Sequence, residues 1–183
     1  MQLGQLEEWF RKPDKELERF VTFSPENAER RMEVLPVLTH ELNRWNGKNI
    51  PRSLLISVVV AIGRILQYAS YFMPPDNDGE SVLPIREAEN ALLRLLGDKD
   101  LELVSCAIYA LGLAGRSHPK AVDSLIHLSN IHESHPRMQL RVAQSLYWIT
   151  GGVPSAVLAR IIEHGLLDDL NTKWIQKPKL SGT

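Results

Sequence analysis

An apolar run that begins at Leu101 ends in Ala110-Leu111-Gly112-Leu113-Ala114-Gly115, passes through His118-Pro119, and opens at once into a second run reaching Leu128. Few folds accept that order. Helical positions three and four apart share a face, so Ala107 and Ala110 form a small-residue stripe onto which another helix can close. Gly112 and Gly115 are expected to end the helix, in a conformation other residues resist. Pro119 suits the first turn of the next helix, where its missing N–H is not needed. Residues 98–128 therefore predict two helices packed back to back, with Asp98, Asp100 and Glu102 in an acidic turn before the first.

The pairing recurs. Ala61-Ile62-Gly63 stands where Ala110-Leu111-Gly112 does, and residues 88–96 (AENALLRLL) match residues 121–128 (AVDSLIHL). Residues 140–152, followed by 153–164, give a third pair, with bulky Tyr147 and Trp148 where small residues are expected. That departure suits a terminal unit. Successive second helices are spaced by roughly 33 to 37 residues, a period found in stacked helical arrays.

The acidic turn, the small-residue helix and the Ala-Leu-Gly-x-x-Gly ending resemble the HEAT-like repeat family. The likeness is good over 98–115 with its following helix and approximate in the two flanking pairs. The resemblance implies an all-α fold, a right-handed α-α superhelix (a HEAT-like solenoid), over residues 51–167. Residues 1–50 would form an N-terminal helical cap and 168–183 a tail loosely held beyond Trp174. The competing fold is a compact helical bundle without superhelical stacking.

Helix signals run through the rest of the chain. Leu3, Leu6 and Phe10 make a short amphipathic opening, and Leu17, Phe20 and Val21 a second. Ser24-Pro25 starts a longer helix with Met32, Leu35, Leu38, Leu42 and Trp45 on one stripe. Pro36 should kink or split it, and Asn46-Gly47 should end it. Residues 73–84, with three prolines and a glycine among acids, predict irregular structure. Helices are expected from about 85 to 96, 100 to 113, 119 to 128, 136 to 149 and 154 to 167. Residues 53–72 are apolar enough to raise a membrane span. Arg64 interrupts them near the middle, which is costly in a bilayer, so they read as a buried helix.

Hydrophobic residues make up 44% and charged residues 23% of the 183, ordinary globular composition. A formal net charge of -1 gives no general attraction to nucleic acid or acidic membrane. The single cysteine, Cys106, excludes an intrachain disulfide and suits the cytoplasm. It stands mid-helix on a small-residue face and is expected to be a buried, inert thiol. The N-terminus carries early acids and no apolar core of a signal peptide.

Chemistry-bearing patterns are weak. His127, His132 and His135 invite a zinc site, but their spacing matches no metal motif. Residues 76–80 begin like a calcium loop and lack its later ligands. Residues 112–117 lack the lysine of a phosphate loop. No catalytic constellation and no cofactor are expected. Two enzyme families use HEAT-like helices, DNA alkyl glycosylases and phycobilin lyases. The first needs a basic groove with an Asp and aromatics. Asp123 falls on a second helix, the basic groove is missing and Trp148 falls on a first helix. The motifs of the second cannot be placed on this chain.

In a HEAT-like solenoid the second helices line a concave face, where equivalent exposed positions form a column. Arg94 and His127 are equivalent, with Glu163 or His164 as third member, and Lys120, Asp123 and Asn130 extend the face. The partner-binding residues expected are Arg94, Lys120, Asp123, His127, Asn130 and His164. A small surface of mixed sign suits another protein or peptide rather than nucleic acid or membrane. The function this implies is a non-enzymatic adaptor or regulatory subunit. The alternative is a HEAT-like enzyme acting on nucleic acid or a pigment.

Overall fold

Eight helices and no strand make up the described residues, which in this computed structural model are 25–44, 51–72, 79–115 and 119–171. They are α1 (Pro25–Arg44), α2 (Arg52–Phe72), α3 (Gly79–Leu95), α4 (Leu101–Ala114), α5 (Pro119–Ile131), α6 (Pro136–Thr150), α7 (Ser155–Glu163) and the single turn α8 (Leu167–Asp169). The all-α expectation holds. The short helices expected before residue 24, and the end of α1 at Asn46-Gly47, lie outside the described residues.

The first helices α2, α4 and α6 stack side by side in that order, and one rule governs both joints. A Cβ placed on Gly63 of α2 would lie 2.7 Å from both Cα and Cβ of Ala110 on α4. A Cβ placed on Gly112 of α4 would lie 2.6 Å from Oγ and 2.9 Å from Cα of Ser145 on α6. Each glycine thus receives the small residue that stands two positions before the corresponding place in the next first helix. That place in α6 is held by Tyr147. The Ser145 hydroxyl, fully buried, also donates to the Ile108 carbonyl at 2.9 Å and ties α6 to α4.

This corrects the role expected for Gly112. It lies inside α4 and is needed for space. Gly115 alone ends the helix, at φ 61°, and its N–H bonds Gly112 O. Gly151 ends α6 in the same way, at φ 77°.

The other helices pack on this row. α1 lies against α2 and α3, α3 against α4, α5 against α6, and α7 against α6. Leu35, Leu38, Val58, Ile62, Leu92, Ile108, Leu125, Leu146 and Ile161 form one continuous core through all of them. α2 is long and apolar enough to cross a membrane, yet 56% of its apolar stretch is buried inside the fold. Arg64 donates to Gln67 Oε1 at 3.0 Å.

Three expectations are revised. Pro36 does not split α1, which continues from Pro25 to Arg44. The proline is exposed while Leu35 and Leu38 beside it are buried, so packing outweighs the single lost helix bond. Residues 79–84 are helical rather than irregular, with Pro84 inside α3. The proline again costs one donor near the helix start, and Ile85, Ala88, Ala91 and Leu92 bury the face that follows. The helix expected to reach 167 stops at Glu163, because Gly165 turns the chain at φ 67°. Leu170, placed by sequence in the tail, is 1% exposed and belongs to the core.

The acidic turn is a built cap. Asp100 Oδ1 accepts the N–H groups of Glu102 at 3.0 Å and Leu103 at 3.3 Å. Arg52, at the start of α2, grips the same carboxylate through Nε and Nη2, both at 2.6 Å, and reaches Glu102 at 2.8 Å. The Arg52 hydrogen bond holds the Asp100 carboxyl below its usual range, against the smaller opposing effect of burial. A carboxyl depressed in this way stabilises the fold above its unfolded pKa and ceases to as pH falls through the folded value, below about pH 4. Asp100→Ala should cost about 1 kcal/mol through the lost cap. Asp100→Asn, which keeps the accepting oxygen, should cost less and should lack this acid-sensitive component. Denaturant titrations at neutral and acid pH measure both.

Candidate interaction surface

Three of the sequence-predicted surface residues meet in one place. Arg94 of α3 and Lys120 and Asp123 of α5 line an open groove of about 430 Å³, together with Asn90, Leu93 and Ser124. Arg94, Lys120 and Asp123 are exposed and Leu93 is half-buried. The placement follows from helical register. Leu92 and Leu125 are fully buried, and the core they enter turns Arg94 and the α5 polar stripe outward. Asn90 and Ser124 each stand one turn from a residue already singled out, so extending the stripe by four positions would have found them.

The Arg94 Nη2 donates to Asn43 Oδ1 of α1 at 2.6 Å, a surface bond across the α1–α3 joint. His127 is exposed and follows buried Leu125 as Arg94 follows Leu92. The third helix offers two positions beside its buried face. Ile161 is fully buried, Glu163 stands two residues on as Arg94 does from Leu92, and His164 stands one further.

Asn130 and His164 belong to a different constellation. Arg160 of α7 donates to Asn130 Oδ1 at 2.6 Å and to Ser129 Oγ at 3.3 Å, and stands 3.9 Å from a Glu133 carboxylate oxygen. His164 Nε2 lies 2.8 Å from Glu133 O. Behind them, fully buried Gln139 of α6 accepts from Ser129 Oγ at 2.7 Å and donates to the carbonyls of Ser129 and His132, both at 2.8 Å. These contacts clamp the end of α5 between α6 and α7. Asn130 and His164 are therefore engaged in holding the fold. Sequence reasoning passed over Arg160 and Gln139 because pairing across helices leaves no trace in helical periodicity.

The histidine-rich turn shows a contact and no cage. The His132 and His135 rings lie 5.6 Å apart. Burial, then the neighbouring His135, pushes the His132 imidazole below its usual pKa. Among the described residues no three His, Cys, Asp or Glu side chains come together as metal ligands.

On the first-helix side, Tyr109 and Trp148 meet edge to face at 5.7 Å, and the Arg141 guanidinium lies 4.9 Å over the Tyr109 ring. Arg141 also donates to Gln144 Oε1 at 2.8 Å. Cys106 is half-buried rather than buried, and burial raises its thiol pKa more than nearby Arg141 lowers it. A thiol raised in this way stays protonated at neutral pH and is a poor nucleophile.

No protein-family model, no curated protein and no solved structure matches this chain.

Proposed function

We propose that this chain is a non-enzymatic interaction module, an adaptor or regulatory subunit of the cytoplasm. In this reading it is a short HEAT-like solenoid that binds another protein or peptide along its second-helix face. The observation that carries the reading is the groove between α3 and α5, where Arg94, Lys120 and Asp123 from two successive helix pairs converge. The equivalent glycine contacts at Gly63 and Gly112 support the repeat behind it. Charged and polar groups on such a face set orientation and specificity more than raw affinity.

The test is affinity capture from the native host with Arg94→Glu/His127→Glu as the comparison. The variant should keep its fold, since exposed substitutions usually change stability by about 0.5 kcal/mol or less. Circular dichroism checks this, including any effect of the lost Asn43 bond. Partner capture should fall at least about tenfold, as charge reversal in an interface implies. Undiminished capture by the folded variant would remove the second-helix face as the binding surface.

A further inference from the structure

We infer that the groove between α3 and α5 takes an acidic peptide segment of a partner protein. Its carboxylate side chain lies between Arg94 and Lys120, and a hydrogen-bond donor faces Asp123. The inference rests on the interaction reading above and specifies the chemistry of the partner.

The two cations come from successive helix pairs and differ in character. Arg94 bonds Asn43 at the surface, which uses one of five guanidinium N–H donors. Its planar fork loses less freedom per hydrogen bond than an ammonium does when it binds a carboxylate. The Lys120 ammonium makes no ion pair among the described residues, neither with Asp123 one turn away nor with any other carboxylate. It is also the second residue of α5, where the helix dipole adds positive potential. The two charges and the helix end therefore favour the same ligand sign.

The remaining lining narrows the class. Asn90 and Ser124 offer neutral donors and acceptors, which suit the backbone of an extended chain. The groove lies within the usual range of ligand pockets, about 300–1,000 Å³, yet it is open to solvent. That shape favours a chain crossing it over an enclosed small molecule. Asp123 argues against nucleic acid. A phosphate backbone carries a negative charge at every step, and a carboxylate on the groove wall would repel it. A peptide can place an acidic side chain at Arg94 and Lys120 and a backbone N–H or a basic side chain at Asp123.

The experiment uses the full chain and a short fluorescein-labelled peptide of alternating Glu and Gly, read by fluorescence anisotropy at low salt. A Lys-Gly peptide and a labelled single-stranded oligonucleotide serve as comparisons. The Glu-Gly peptide should bind and the other two should not. Lys120→Glu should weaken binding about tenfold, whereas Asp123→Asn, which keeps an accepting oxygen for the peptide's donor, should change it by about twofold or less. Both substitutions are exposed, and thermal melts confirm that the variants fold. Equal binding by Lys120→Glu, no binding of the Glu-Gly peptide, or tighter binding of the oligonucleotide would each overturn the inference. A natural partner lost in Arg94→Glu/His127→Glu but indifferent to Lys120→Glu would overturn it while leaving the interaction reading in place. A partner indifferent to all of these would remove both.

Discussion

Gly63→Val should lower the stability of this protein by about 3 kcal/mol, at the upper end of overpacking costs. In a chain of this length that is a fall of roughly 6–12 °C in Tm. Added atoms on Gly63 meet the Cα, Cβ and carbonyl oxygen of Ala110, the nearest at 2.7 Å. Most of that obstacle is main chain, so no side chain can swing aside, and α2 and α4 must move apart along their whole joint. Gly63→Ala sharpens the test. On helix propensity alone it would stabilise α2 by about 1 kcal/mol. Against Ala110 it should cost about 1 kcal/mol instead. Ala110→Leu presses on the same joint from the other side and should cost about 1–3 kcal/mol. Gly152→Ala is the control. Nothing lies within 4 Å of its added Cβ and its φ is not positive, so its effect should stay within about 0.5 kcal/mol. Urea titrations of the four variants measure these differences. Gly63→Val melting with the parent would show that α2 and α4 do not meet at this register.

That joint also marks how far the sequence could be read. The helices and their pairing were legible because apolar period, proline starts and glycine ends are local signals. Ala107 and Ala110 were correctly expected on a packed face, and both are fully buried. The glycines were harder. Gly112 and Gly115 look alike in sequence, yet one supplies room against Ser145 and the other a left-handed turn. Only the neighbouring helix distinguishes them. Prolines misled in the opposite direction. Pro36 and Pro84 carry a strong local signal against helix, and tertiary burial of the residues beside them outweighed it. On the surface, the groove was legible in half: Arg94, Lys120 and Asp123 follow from register. The bond between Asn43 and Arg94 spans 51 residues, and no periodic pattern announces it. For the same reason Asn130 and His164 read as free surface positions, although Arg160 and Glu133 engage them.

The clamp at the end of α5 carries the second large effect. Gln139→Leu should cost about 3 kcal/mol, with a fall of roughly 6–12 °C in Tm. Leucine is close in size and apolar, so it leaves little cavity, and the loss comes from polar groups. The last carbonyls of a helix lack partners within it, and Gln139 Nε2 supplies a donor to Ser129 O and His132 O from a neighbouring helix. His132 O still accepts from the His135 N–H at 3.0 Å, so it is not stranded. Ser129 is fully buried, and its hydroxyl loses the acceptor it reaches at 2.7 Å. Each buried group left unsatisfied costs about 1–3 kcal/mol. Gln139→Glu separates this account from a packing effect. At neutral pH it sets a carboxylate against two carbonyl oxygens, so it should be at least as destabilising as leucine. Burial and those oxygens raise the folded pKa of the introduced carboxyl above its unfolded value near 4.3. A group raised in this way stabilises the fold below the unfolded pKa, and that contribution is lost as pH rises through the folded one. The Glu variant should therefore regain stability relative to the parent as pH is lowered toward 5, once its protonated oxygen can donate to Ser129 O. Thermal melts of parent, Leu and Glu variants across that range read the difference. A Leu variant as stable as the parent, or a Glu variant whose deficit does not shrink on acidification, would show that the polar contacts of Gln139 do not hold α5 to α6.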